Sequence, residues 1–403
     1  VRGEPAVHYP FERRCPFQEP REFAELRAGE PVAPVTLPSG APGYLVTTYD
    51  EVRRVLSDDR FSRTPVRERA GGGDRGGFDF GLSVADPVAH ERWRRLVGSV
   101  VNPRLAETLR PRIVAAVEEL LDRFAATEQP VDLMAGYARP LALRVLGDLF
   151  DVPDDLRPML TAWAAGIAAA GADMTAFGAA TQTLHRCATE LVARPHGSLL
   201  AALAAARHDG HALTEADLVR TVMLMAIAGY ETSAVQIGNG VLALLQYPEQ
   251  LGLVRDGQVG GAVDEILRYA QAGTGFAGIT YTLEEVELGG VTVPAGAAVL
   301  VCLDSAARDE RRVPDPQRFD ITRGSARYHL AFGSGGHYCL GAPVARVELE
   351  EGLTRLCRRF PGLRAAYGTE NVVFARNLLH HYPRELPVLT HCSISTSGNT
   401  VHE

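Results

Sequence analysis

The sequence predicts a mainly α-helical chain with a smaller β-rich lobe, an α+β arrangement in one large domain over residues 1–392 with a polar tail at 393–403. Three observations carry this. From about 88 to 208 apolar side chains recur every three or four positions. Residues 214–247 form one helical run of about 33 residues, roughly 50 Å at the helical rise per residue. Between 276 and 303 apolar residues alternate with polar ones and are punctuated by glycine and proline.

Taken in order, residues 42–50 read as a strand whose Asp50 then caps a short helix holding Val52, Val55 and Leu56. Residues 71–77, Gly-Gly-Gly-Asp-Arg-Gly-Gly, lack the βαβ context of a phosphate-binding loop and read as a flexible connection. Leu105, Leu109, Ile113, Val117, Leu120, Leu121 and Phe124 make one buried stripe of an amphipathic helix. Thr214 and Asp217 open the long run as a capping box, and Pro248 stops it. Val286, Leu288, Val291 and Val293, interrupted by Gly289 and Gly290, predict a hairpin. A further helix follows Gly341, 370–390 returns to strand patterning, and 393–403 is polar and expected to fray. No internal repeat or linker divides the chain, which favours a single domain.

Composition narrows the function classes. A chain of 403 residues buries enough surface to fold without disulfide or metal staples. Its 41 basic residues are all arginine and face 49 acidic ones, a net charge of −8 that disfavours nucleic acid as a main partner. Six cysteines occur without a C-x-x-C pair, against a disulfide framework or zinc ribbon. Residues 1–30 are charged throughout and lack the apolar core of a signal peptide, so the chain is expected to be cytoplasmic. The most apolar helical stretch, 222–228, is far shorter than a bilayer span, so no membrane insertion is expected.

The sharpest chemical signal is Phe332-Gly333-Ser334-Gly335-Gly336-His337-Tyr338-Cys339-Leu340-Gly341 ahead of a helix. Glycines let the backbone turn tightly and approach a flat ligand, and the helix N-terminus favours a thiolate on Cys339. With no second cysteine nearby, a single axial thiolate to haem iron fits better than tetrahedral zinc. A buried free cysteine in a glycine loop is the plainer alternative.

The segment resembles the haem-binding signature F-G-x-G-x-H-x-C-x-G of the cytochrome P-450 family at every fixed position, and the likeness runs from about residue 9 to 388. The family fold, a triangular helical domain with a long central helix, is therefore implied. Glu265 and Arg268 resemble the family's E-x-x-R pair, and Arg318 its third charged member, a structural triad beside the cysteine loop. Ala228-Gly229-Tyr230-Glu231-Thr232-Ser233 is similar to the oxygen-binding groove, with Thr232 holding dioxygen or its water and Glu231 relaying protons. A Thr232 bonded back to Ala228 and a Glu231 in an ion pair remain the alternative. His90 and Arg94, one turn apart on a helix, are implied to bind haem propionates with His337, while Phe332, Gly333 and Gly341 shape the pocket around the sulfur. Two positions depart from the family pattern: Gly278 stands where relatives place a propionate-binding arginine, and Ala272 where they place proline.

The resemblance implies haem b, dioxygen as co-substrate, and electrons from NAD(P)H through a separate ferredoxin and ferredoxin reductase. Arg92, Arg95 and Arg104 would face the acidic redoxin. The substrate is expected to be a bulky hydrophobic small molecule, contacted from 71–85 (Phe78, Phe80, Leu82), 160–185, 272–279 and 377–379. The arginine-only composition, rich in Ala, Gly and Pro, resembles the coding habit of high-GC actinobacteria and hints at the source alone, while the family resemblance implies hydroxylation or epoxidation, expected in secondary metabolism. Oxidative coupling or ring closure without oxygen insertion is one alternative, and a non-catalytic haem sensor or carrier another.

Overall fold

A computed structural model describes residues 7–12, 17–37, 40–64, 87–170, 173–194, 197–273, 279–376 and 380–390. Its axis is the central helix, Glu215–Gln246. The Thr214 hydroxyl accepts from the Asp217 amide at 3.1 Å while the Asp217 carboxylate accepts from the Thr214 amide at 3.0 Å, the reciprocal cap its sequence predicts. Tyr247 ends the helix and Pro248 opens the next one, Pro248–Arg255. By length and composition the central helix would pass as a membrane span, which the short apolar run at 222–228 did not suggest; residues 234–244, however, are all buried within the protein.

Helix Pro103–Ala126 starts at Asn102, whose side chain accepts from the Arg104 and Leu105 amides, and buries the predicted stripe from Leu109 to Phe124, with Leu105 partly covered. That stripe packs against helix Ala342–Arg359, and both lie on the central helix or its neighbours. The Tyr137 hydroxyl donates to the Gly352 carbonyl at 2.8 Å and helps fix the same face. Gly238 and Gly240 of the central helix permit close crossing, since a Cβ would meet Met134 Sδ at 2.2 Å and Ile266 Cγ2 at 2.9 Å respectively.

The β-rich lobe holds a six-stranded sheet in the order Val7–His8, Val32–Thr36, Pro42–Val46, Ala298–Val301, Ile279–Thr282, Phe61–Ser62. The predicted hairpin pairs Val286 with Val293 and Leu288 with Val291 around Gly289 and Gly290, both at positive φ. A second hairpin, Phe374–Arg376 with His381–Pro383, is tied to the central helix by Asn239, whose amide donates to the His381 carbonyl at 3.0 Å, while the Gln236 amide donates to the Ala270 carbonyl at the end of helix Val259–Tyr269 at 3.0 Å.

Two expectations need correction here. The strand at 42–50 ends at Val46, and the helix that follows, Tyr49–Ser57, has Thr48 rather than Asp50 at its N-cap. The Tyr49 amide finds its acceptor in trans on the Asp309 carboxylate, at 2.9 Å, so the helix starts without a local side-chain cap. The third partner of Glu265 and Arg268 is Arg323, not Arg318. Arg323 Nε donates to Glu265 Oε1 at 3.2 Å, whereas the Arg318 side chain is exposed and offers only its carbonyl, to Arg268 and Arg323. The turn Asp315–Arg318 drives Phe319 into the core and thereby points Arg318 outward. The loops at 71–85 and 377–379, residues 274–278 and the tail lie outside the described residues.

Candidate active site

The cysteine loop is shaped from both sides. Gly333 and Gly335 adopt φ of 72° and 64°, and a Cβ on Gly335 would lie 2.4 Å from the Leu56 carbonyl, so the loop can rest on helix Tyr49–Ser57 only with glycine there. The Cys339 amide donates to the Phe332 carbonyl at 2.8 Å, closing the turn that presents the sulfur ahead of helix Ala342–Arg359, whose N-cap is Gly341. Arg346 anchors the loop from behind: it donates to Asp264 at 2.7 Å and covers the Phe332 ring at 5.5 Å. Asp264 neighbours Glu265, so the buried ion network and the loop share one support. Cys187, Cys302 and Cys357 are buried free thiols, whereas Cys339 is exposed.

Although the residue is exposed, desolvation of its sulfur by the surrounding loop pushes the Cys339 thiol up, opposed by the Gly341 amide, the charge of Arg94 and the Ala342 amide. A bound cation would tip that balance and leave a thiolate.

The middle of the central helix is less covered than its C-terminal half. Among residues 223–233 only Ala226 and Tyr230 are buried, although the helix on the C-terminal side is enclosed all round. A partly covered stretch ahead of a fully buried one, with free space beside Gly229, marks a hollow along the helix. Gly229 faces open space: a Cβ there would meet nothing within 4 Å, in contrast to Gly238 and Gly240. Ala228 is exposed, and Thr232 Oγ1 donates to its carbonyl at 2.5 Å. Glu231 lies 3.5 Å from His380 Nδ1 and lines a small cavity with Arg139, Tyr230 and Tyr382. Both contacts of the plainer reading, threonine to Ala228 and glutamate in an ion pair, are thus present. They leave the helix unbroken and place both side chains in or beside the hollow.

At the loop's edge the His90 and His337 rings stack at a centroid distance of 4.1 Å. Helix Pro87–Val100 is fixed to the central helix by the Trp93 indole, which donates to Thr221 Oγ1 at 3.0 Å. Its Arg94, one turn from His90 as expected, donates to the Tyr338 carbonyl. Arg63 completes the group, close enough that its charge depresses both His90 and His337. Burial first, then Arg63, His90 and Arg94, push His337 down to about 3. Among the described residues no carboxylate pairs with Arg63, His90, Arg94 or His337.

This donor set fits haem. One cysteine sulfur stands at a helix N-terminus, and four cationic or donor groups without counter-charge among the described residues gather beside its loop, as the carboxylates of a porphyrin would require. Among the described residues no cluster of three metal-ligating side chains exists, so a site built wholly from protein ligands finds no support there.

Sequence reasoning missed Arg63, Arg323, His380 and Glu348, each lying outside a motif. Glu348 is buried and bonded to the Ser233 hydroxyl of the central helix, and burial raises its carboxyl from 4.5 to about 7. Between these values the folded protein keeps a proton that the unfolded chain releases. Stability therefore falls as pH rises through this window, by about 3 kcal/mol. In E348Q this part of the slope is expected to vanish, measured as unfolding free energy in urea at pH 5 and pH 7.5; an unchanged slope would refute the assignment.

Comparison with known proteins agrees with this geometry. A family model described as Cytochrome P450 matches residues 260–363, the span from the ion-pair helix through the cysteine loop. The chain is 38% identical over 391 residues to mycinamicin IV hydroxylase/epoxidase of Micromonospora griseorubida, covering 94% of this chain and 98% of that one. It is 36% identical to 6-deoxyerythronolide B hydroxylase of Saccharopolyspora erythraea, with 91% and 95% covered. A crystal structure of a mutant of the mixed-function P450 MycG in complex with mycinamicin V superposes with a TM-score of 0.89 at 36% identity, over 96% of this chain and all of the other.

Proposed function

This chain belongs to the cytochrome P450 family, and from that premise we propose that it hydroxylates or epoxidises a bulky, hydrophobic natural product of the macrolide class. It is a monooxygenase that uses haem, dioxygen and reducing equivalents, as the family does. What supports the site assignment is the Cys339 sulfur presented ahead of helix Ala342–Arg359, with the Arg63, His90, Arg94 and His337 group beside its loop.

Haem, once bound, supplies the reductive activation of dioxygen, one atom going to the substrate and the other leaving as water at the cost of two electrons and two protons. Cys339 would hold the iron, and the Gly341 and Ala342 amides would steady its negative charge. His90, Arg94 and His337 would hold the propionates. The protons would pass through Glu231, fed from its cavity side by His380, to a water held by Thr232, whose hydroxyl can turn from the Ala228 carbonyl into the hollow. In Thr232→Ala that last hand-off is lost. Electron consumption should continue while product per electron falls at least about tenfold and peroxide rises, since one positioned donor is worth 10²–10⁴-fold in proton transfer. An unchanged product-to-electron ratio would remove Thr232 from the relay.

Electrons are assigned to separate redox proteins, a ferredoxin and its reductase drawing on NAD(P)H in the cytoplasm. Arg92 and Arg104 are exposed and available to an acidic redoxin, while Arg95 is taken up by Glu91 and His208. The relatives' names favour oxygen insertion over oxidative coupling. The deciding experiment combines the reduced carbon-monoxide spectrum of the purified holoprotein with a screen of macrolactones for a haem spin-state shift and product mass. A nitrogen-ligated spectrum would sink the haem-thiolate reading, and products lacking added oxygen would sink the insertion chemistry.

A further inference from the structure

The propionate edge of the site poses a problem that the sequence left open: Gly278 offers no side chain where the family resemblance expects a carboxylate-holding arginine. Gly278 immediately precedes Ile279, the first residue of strand Ile279–Thr282. The strand paired with it is Phe61–Ser62, with Ser62 opposite Tyr281 in antiparallel register. Arg63 continues that neighbouring strand in the direction of Ile279. A guanidinium is therefore supplied from the adjacent strand, within a few residues of the position that lost it.

Its surroundings are those of a cation awaiting an anion. Arg63 is half-buried and makes no hydrogen bond or ion pair among the described residues, and the groups that feel its charge are His90 and His337. Burying a guanidinium near two imidazoles that also feel the charge of Arg94 is unfavourable unless an anion sits among them. The other three groups come from two further segments: His90 and Arg94 from helix Pro87–Val100, and His337 from the cysteine loop. Only a ligand lying across these segments can compensate all four at once.

We propose that Arg63 binds a haem propionate and replaces the arginine missing at position 278. This rests on the reading above that the cluster faces haem. Arg63 thereby anchors the cofactor from the β-rich lobe while His90 and Arg94 anchor it from the helical side.

Haem loss, followed as transfer from the holoprotein to excess apomyoglobin, tests this directly. Charge-assisted hydrogen bonds of this kind correspond to roughly tenfold or more in retention. R63Q is expected to lose protohaem at least about tenfold faster, R63K to fall between, and R53Q, which removes an exposed arginine from helix Tyr49–Ser57, to match the parent protein. The discriminating arm exchanges protohaem for its dimethyl ester, which has no carboxylates: there R63Q and the parent should lose haem at the same rate. Equal acceleration with both haems would make Arg63 a structural residue, and no acceleration with protohaem would remove it from the site; either result overturns the proposal. If the parent holoprotein lacks a thiolate-type carbon-monoxide spectrum, the haem-thiolate reading itself has failed, an outcome separate from both.

Discussion

Arg268→Ala is expected to leave little or no folded protein. Arg268 and Glu265 are wholly buried, joined by Nε to Oε2 at 2.7 Å and Nη2 to Oε1 at 2.8 Å. The same guanidinium satisfies the carbonyls of Ala307, Pro316 and Arg318, and Glu265 also accepts from the Asp320 amide and Arg323. Removing Arg268 strands a buried carboxylate and several carbonyls, a loss of about 3–5 kcal/mol or more, against total stabilities of about 5–15 kcal/mol. Because Asp264, next to Glu265, holds Arg346 behind the cysteine loop, haem incorporation should fail together with folding. Arg318→Ala is the informative control. Its side chain is exposed and only its carbonyl is used, so its unfolding midpoint should be close to that of the parent protein. Soluble yield and the urea midpoint of R268A, R318A and R323A give the ranking; a severe R318A with a mild R323A would refute the network described here.

Cys339→Ala is expected to abolish oxygen insertion while leaving the fold intact. The side chain is exposed at the loop tip, and the turn is held by backbone contacts, the Cys339 amide to Phe332 and the Gly333 amide to Leu330, which alanine retains. What disappears is the protein's sulfur ligand to the cofactor. The unfolding midpoint of the haem-free variant should stay near that of the haem-free parent, haem content should fall, and any haem still bound should lack the thiolate-type carbon-monoxide spectrum. Turnover driven by redox partners should drop below detection. Retention of the parent spectrum and activity in C339A would assign the iron to another ligand.

These two variants differ in how far sequence alone reaches. The cysteine loop is local: its glycine positions, the amide to Phe332 and the following helix lie within about a dozen residues, and the structure keeps all of them together. The Thr214 capping box and the Gly289–Gly290 turn are legible for the same reason, because each is fixed by dihedral preference and hydrogen bonds to near neighbours. The N-cap of helix Tyr49–Ser57 was misread because its acceptor, Asp309, is 260 positions away.

The choice between Arg318 and Arg323 shows the same boundary. Both lie in one short loop, and charge and spacing do not separate them; the burial of Phe319 does, by turning one outward and the other toward Glu265. Arg63, His380 and Glu348 were invisible for a related reason. Each owes its chemical character to groups from distant segments that only packing brings within reach.

By itself, then, the sequence determined the α+β class, the extent of the central helix and the turn that presents Cys339 ahead of a helix, all of which follow from periodicity, turn preference and short-range hydrogen bonding. Tertiary structure alone decided which arginine closes the buried network, which carboxyl keeps its proton near neutrality and which cations gather without a counter-charge. Desolvation and electrostatic coupling depend on what lies within a few ångströms in space, and that neighbourhood is assembled from parts of the chain hundreds of residues apart.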